Sequence, residues 1–293
     1  MKGSGVKRWA LQNIKGLRFS VRAGGVIWSR AHTQFSTDEF CRPEHLFLQW
    51  DKLSRRLKRA RRITLFMDFD GTLVPLCLHP DEPRLAEARR ELLGRLARRR
   101  GMQLIVITGR RQEDVENRVG VPGITYLGLY GWEHQARTST SRASMALLRR
   151  VKNHLAQRLS ALAHIWIEDK QYGFAVHYRG ADSATLRKAW DVFRRTLKLE
   201  EKSLRFILGK KVWEVLPLGW PGKGAAVETI LSRGGARLPI FLGDDITDES
   251  AFGVLQSGLT IRVGRPRRTR ARYYLRNPQE VEEFLIRMER VLA

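Results

Sequence analysis

Two cysteines in 293 residues, Cys41 and Cys77, cannot make a disulfide framework, and they stand in no metal-binding or redox spacing. Their scarcity fits a reducing compartment, and a cytoplasmic protein is the expectation. No apolar run approaches the ~18 residues a membrane-spanning helix needs, so no membrane partner is expected. Acidic residues are also few: 30 Asp and Glu face 54 Lys and Arg, a net charge of +24. Residues 1–62 hold 15 Lys/Arg against 4 Asp/Glu, or +11 of that total. The rest is spread as arginines along helix-like segments such as 89-RRELLGRLARRR-100. Scattered arginine on helix faces is ordinarily a solvated surface. No aromatic-rich RNA-binding strand, zinc-finger pattern or convincing helix-turn-helix accompanies the charge, and a nucleic-acid partner is not expected.

What is present is an ordinary globular composition, 43% hydrophobic and 29% charged, in a chain long enough for two modest domains. The first 37 residues contain no acid. That segment fits an organelle transit peptide, a disordered basic arm, or unselected sequence from an upstream start equally well, and it lacks the apolar region of a secretory signal. Residues 1–60 are therefore expected to be a basic extension outside the fold.

From Ile63 the pattern becomes regular. Ile63–Phe69 is an apolar, β-prone run suited to a strand buried on both faces. Leu85, Ala88, Leu92, Leu93 and Leu96 keep helical spacing up to Gly101. The runs 103-QLIVIT-108 and 124-ITYLGL-129 are further buried strands around a polar helix from Gln112. This alternation implies parallel crossovers. The middle differs, reading helix, strand pair (164-HIWIEDK-170, 172-YGFAVHY-178), helix, strand pair (204-LRFILGK-210, 211-KVWEVLP-217). After Pro221 the first pattern resumes with 222-GKGAAVETILSRG-234, 239-PIFLGDD-245, 259-LTIRV-263 and a terminal amphipathic helix. The expected fold is α/β, a Rossmann-like parallel-sheet core (61–132 and 218–293) with an inserted α+β cap domain (133–217). A monomer is expected.

Two carboxylates one residue apart in 67-MDFDGTLVPL-76, at a strand end, repel and are costly to desolvate. In a parallel sheet the carboxyl ends of strands share one edge, where ligands bind. Asp68 and Asp70, Thr108, the helix-opening Lys223, and Asp244, Asp245 and Asp248 would converge there. Carboxylates so placed need a divalent cation, and oxygen-only ligands without a nearby histidine favour Mg²⁺. A metal-held carboxylate can attack phosphorus and form an aspartyl-phosphate, and a second aspartate can protonate the leaving oxygen and then activate water. Thr108 offers a hydroxyl to the phosphoryl oxygens, the turn at Gly109–Arg110 offers N–H groups, and Lys223 offers a cation.

This set resembles the haloacid dehalogenase-like phosphohydrolase superfamily, with 68-DFDGTL-73, the threonine of 107-ITGR-110, Lys223 and 243-GDDITD-248 as its motifs. Within it the chain is similar to the trehalose-6-phosphate phosphatase family, from about Ile63 to the C-terminus, through 168-EDKQYGFAVHYRGA-181, 209-GKKVWEVLP-217 and 269-TRARYYLRNPQEVEEFL-285. The resemblance implies Asp68 as nucleophile, Asp70 as general acid/base, Thr108 and Lys223 on the phosphoryl group, and Mg²⁺ held by Asp68, Asp70 (through its carbonyl) and Asp244 with Asp248 in support. It implies trehalose 6-phosphate as substrate and functional coupling to a trehalose-6-phosphate synthase. Glu168, Lys170, His177, Arg179, Lys211 and Glu214 could hydrogen-bond sugar hydroxyls, or form cross-strand pairs on a solvated sheet. Tyr130, Trp132 and Leu216 depart from the family pattern, in which smaller or polar residues and an arginine are common. Sucrose or glucosylglycerol phosphate is an alternative substrate. A non-catalytic nucleic-acid-binding protein on the same scaffold is an alternative of another class.

Overall fold

A strand covered on both faces must be apolar throughout, and all five residues of β2 (Ile63–Met67) are buried. Its one hydroxyl, on Thr64, is taken up by Gln103 and Arg237. The computed structural model describes residues 40–77, 81–133, 140–209, 211–235 and 237–293, so the segment read as a transit peptide or basic arm lies outside the described residues up to position 39. The described residues divide into two compact units, Thr140–Trp220 and the remainder.

The larger unit is built on a seven-stranded sheet in which every pairing is parallel. Its strands are β1 (Glu44–His45), β2, β3 (Met102–Ile107), β4 (Ile124–Leu127), β9 (Leu238–Gly243), β10 (Leu259–Val263) and β11 (Tyr273–Leu275), in the order β1-β11-β10-β9-β2-β3-β4. Helices α1 (Trp50–Arg59), α2 (Glu87–Arg98), α3 (Gln112–Val119) and α8 (Pro278–Leu292) cover one face, burying Leu53, Leu92, Val115 and Phe284 against Leu65, Leu104 and Ile240. On the other, α6 (Gly222–Ser232) and α7 (Glu249–Val254) bury Val227 and Phe252 against Phe66, Ile105 and Phe241. This is the doubly wound arrangement expected, with the carboxyl ends of β2, β3 and β9 on one edge.

This unit begins earlier than residue 61, which corrects the expected extent of the extension. Glu44 and His45 pair with Tyr273 and Tyr274, and Leu46, Leu53 and Leu57 are fully buried in the core. The reason lies in 50-WDKLSRRLKR-59, where Trp50, Leu53 and Leu57 repeat at helical spacing beneath a solvated face of lysine and arginine. The charge drew attention, but the apolar stripe decides the packing.

The inserted unit has an antiparallel sheet in the order β5-β6-β8-β7, made of β5 (Trp166–Asp169), β6 (Phe174–His177), β7 (Leu204–Gly209) and β8 (Val212–Pro217). Helices α4 (Arg142–Leu159) and α5 (Ser183–Leu199) cover one face, where Leu155 and Phe193 meet Phe174, Val176, Trp213 and Val215. Alternation along each strand sends Glu168, Ala175, His177 and Glu214 to the opposite face. The strand pairs match those expected.

Candidate active site

Asp68, Thr108 and Asp244 each follow directly on the last residue of β2, β3 and β9, and Lys223 sits in the first turn of α6. The chain is anchored at these points. Asp68 N donates to Leu242 O at 2.9 Å, Thr108 N donates to Leu127 O at 3.1 Å, and Thr108 Oγ1 accepts from Arg110 N at 3.2 Å. Lys223 Nζ lies 3.0 Å from Asp68 Oδ1 and 2.7 Å from Asp248 Oδ1. Asp68 Oδ1 also accepts from Phe69 N at 2.8 Å, and Asp248 Oδ2 accepts from Asp245 N at 2.8 Å. Gly71, with φ +80°, lies against Asp244, and a Cβ there would overlap the carboxylate. The D-x-D-G turn therefore needs its glycine both for backbone conformation and for room.

Asp68, Asp244 and Asp248 are 6, 2 and 0% exposed, and one oxygen from each falls within 4.8 Å of the other two. Burial pushes the Asp68 carboxyl well above its usual range. Lys223 opposes this, while Asp248 and Asp244 add to it. Burial acts against the Lys223 ammonium as well, but the charges of Asp248 and Asp68 outweigh it and raise its pKa. Three carboxylates against one ammonium leave an uncompensated negative charge in a site nearly closed to water, which is costly. An all-oxygen donor set of this charge fits a hard divalent cation.

The remaining expected residues are placed otherwise. Asp70 turns its carboxylate to Arg110, which grips it with two hydrogen bonds (Nε to Oδ2 at 2.6 Å, Nη2 to Oδ1 at 2.8 Å). Arg110, expected to bind substrate, is thus engaged as a clamp on Asp70, and it is joined to Asp114 by a 2.8 Å bond from Nη1. Asp114 in turn accepts from Arg118 Nε at 2.8 Å, and Arg118 Nη1 reaches the carbonyls of Asp81 and Pro83, both at 3.0 Å. Asp245, expected as a ligand, falls outside the carboxylate group and caps the turn at Ile246, its Oδ1 accepting from Ile246 N at 2.7 Å. The ladder through Asp114 and Arg118 was missed in the sequence, although the i, i+4 charge spacing in 110-RRQEDVENR-118 carries it.

Tyr130 belongs to the site as well. Its N–H donates to Thr108 O at 2.6 Å with a φ of 63°, a conformation uncommon outside glycine. The phenol end of its ring lies over Gly109, where a Cβ would stand 2.7 Å from Oη, and Lys223 Nζ is 5.8 Å from the ring centroid.

Residues 66–278 match the family model described as trehalose-phosphatase. The chain belongs to the trehalose-phosphatase family. It is 36% identical over 251 residues to the trehalose-phosphate phosphatase of Mycobacterium tuberculosis, covering 80% of this chain and 63% of that protein. It is 30% identical over 251 residues to probable trehalose-phosphate phosphatase 4 of Oryza sativa subsp. japonica, covering 78% of this chain and 66% of that one. The chain therefore spans just under two thirds of the length of these relatives. The C-terminal domain of Candida albicans trehalose-6-phosphate phosphatase shares the fold, with a TM-score of 0.75 and 22% identity over 85% of this chain and 98% of that one.

In this member of the trehalose-phosphatase family, the polar residues of the inserted unit are already engaged with one another. Lys170 Nζ and Glu214 Oε1 form a buried pair at 2.6 Å. His177 Nε2 lies 2.8 Å from Glu168 Oε2, and its ring stacks on Trp166 at 3.9 Å between centroids. Glu168 and Glu214 both register with Ala175, one from each side, so they share a row on the helix-free face with a small residue between them. Arg179 lies in the turn after β6, and Lys211 holds the β7–β8 turn with a φ of 67°. Leu216 is buried in the same sheet.

Proposed function

We propose that this protein hydrolyses trehalose 6-phosphate to trehalose and phosphate with Mg²⁺, through an aspartyl-phosphate on Asp68. The buried group of Asp68, Asp244, Asp248 and Lys223 at the strand ends carries this reading. Asp68 and Asp244 would hold the cation, with Asp248 behind them. When bound, it supplies positive charge to the phosphoryl oxygens.

The other roles follow from where the side chains are fixed. Phe69 N and Lys223 engage Asp68 at Oδ1, so attack on phosphorus is assigned to Oδ2. Lys223 is held in the protonated form by two carboxylates and faces the charge that develops as the P–O bond breaks. Thr108 Oγ1 binds a phosphoryl oxygen. Asp70 gives a proton to the departing sugar oxygen and later takes one from water, and Arg110 sets its position. Both Asp70 carboxylate oxygens accept hydrogen bonds from Arg110, so proton delivery to the sugar oxygen requires that clamp to loosen. On the inserted unit, the helix-free face carrying Glu168, His177 and Glu214, with Lys170 paired to Glu214, is the proposed recognition surface for sugar hydroxyls, with Trp166 as an apolar platform.

The test is phosphate release from trehalose 6-phosphate beside sucrose, glucosylglycerol and glucose phosphates, with Mg²⁺ and then with EDTA. Release confined to trehalose 6-phosphate and lost with EDTA is expected. Release from another sugar phosphate keeps the chemistry and moves the specificity, pointing to Tyr130, Trp132 and Leu216. No release from any of them removes the reading.

A further inference from the structure

The positive charge that this chemistry leaves unused has a place in the fold. β2 lies between β3 and β9, with Ile63 in register with Met102 on one side and Leu238 on the other. The segments leading into these three strands therefore meet at the sheet edge opposite Asp68 and Asp244. They touch directly, since Ile63 N donates to Gly101 O and Leu238 N to Arg62 O, both at 2.8 Å. The three segments read 58-KRARR-62, 98-RRRG-101 and 233-RGG-235. Of the eight basic side chains gathered there, seven are exposed and Arg99 is half-buried. No acid occurs in 52–67, 92–112 or 229–243, and among the described residues none of the eight takes part in an ion pair.

A basic residue in the last turn of a helix complements its dipole. That accounts for Lys58 and Arg59 at the end of α1 and Arg98 at the end of α2, not for eight without an acid. Like charges on one edge repel each other, and a polyanion laid across them relieves that repulsion while releasing its own counterions.

We propose that this edge binds the sugar–phosphate backbone of a nucleic acid without regard to sequence. Seven of the eight side chains are arginines, whose planar forks match phosphate bidentately. The segments contain no aromatic residue to stack on bases, so binding is to phosphates alone. They also contain no large apolar residue to enter a lipid surface, which favours a nucleic acid over an anionic membrane.

The experiment titrates the full chain into a short fluorescein-labelled DNA duplex, reading anisotropy between about 50 and 200 mM salt. A variant carrying Arg59→Gln, Arg61→Gln, Arg98→Gln and Arg100→Gln is measured beside it. These residues lie outside the catalytic group, so the melting temperature and the phosphatase assay serve as controls on folding. The wild-type chain is expected to bind in the micromolar range at physiological salt, with log K falling linearly in log salt. The variant is expected to lose at least about tenfold in affinity and to flatten the slope by about 3.6, at roughly 0.9 for each of the four phosphates that are no longer neutralised. If the variant unfolds, Arg61→Gln with Arg100→Gln alone should flatten the slope by about half as much. A wild-type chain that does not bind, or variants with unchanged affinity and slope, would overturn the proposal, the latter assigning binding elsewhere in the chain. Binding to phosphatidylserine vesicles but not to DNA would overturn it in favour of a membrane.

Discussion

The charge states of Asp68 and Lys223 determine what a substitution does to each. Burial favours the neutral Asp68 carboxyl, so Asp68→Asn removes a charge that the fold holds at a cost. The variant should keep wild-type thermal stability or exceed it, while phosphate release falls below about a thousandth of wild type, as loss of a nucleophile requires. Lys223→Met does the opposite, leaving three buried carboxylates without the ammonium that two of them touch. Removing one partner of a buried pair costs about 3–5 kcal/mol. Urea unfolding of the metal-free protein should therefore show a loss of that size, and an unchanged midpoint would mean that the carboxylates take up protons instead. Arg110→Lys keeps the charge but loses the two-pronged grip on Asp70. Because Arg110 acts through Asp70, kcat should drop about tenfold or more with KM nearly constant. A raised KM with kcat intact would return Arg110 to the substrate-binding role expected from its place after Thr108.

Among the elements, α1 is where reading the sequence and seeing the structure part most clearly. Its Leu53 and Leu57 are buried to 1 and 0% exposure in the main core. Leu53→Ala should thus cost about 2–5 kcal/mol, read as a lowered urea midpoint, whereas a dispensable extension would lose nothing. The strands β2, β3 and β9 were legible because continuous apolar runs ending in Asp or Thr have few other readings. The inserted unit was legible from alternation, which put Phe174, Val176, Trp213 and Val215 on one face. β1 and β11 were not, being only two and three residues long. Their pairing is set by contacts between distant segments that no local pattern announces. The same holds at the site. Asp68, Asp244 and Lys223 could be placed because each is fixed by backbone at a strand or helix end. The directions of Asp70 and Asp245 depend on χ angles set by Arg110 and by the Ile246 turn, which spacing does not encode. Tyr130 was visible only as an unusual residue, and its place over Gly109 comes from a positive φ.

At the scale of the whole molecule, the carboxylate group links stability to both protons and metal. A carboxyl whose pKa is raised in the fold binds its proton more tightly there than in the unfolded chain. Where the two states differ, the folded protein carries more protons, and stability falls as pH rises. For Asp68 that window opens near the ordinary carboxylate value, about 4, and closes above its raised value. A divalent cation that Asp68 and Asp244 would hold, with Asp248 behind them, requires the ionised form of Asp68 and so competes with the same proton. The metal-free protein should therefore lose stability through this window, and added Mg²⁺ should restore it most where Asp68 is already ionised. Thermal melts with MgCl₂ and with EDTA at about pH 5 and about pH 7.5 test this, the gain from Mg²⁺ being larger at the higher pH. Asp68→Asn should remove most of the difference between the two pH values, because the competing proton is gone. Equal gains at both pH values in the wild-type chain would mean that Asp68 is ionised throughout and that Lys223 alone balances its charge.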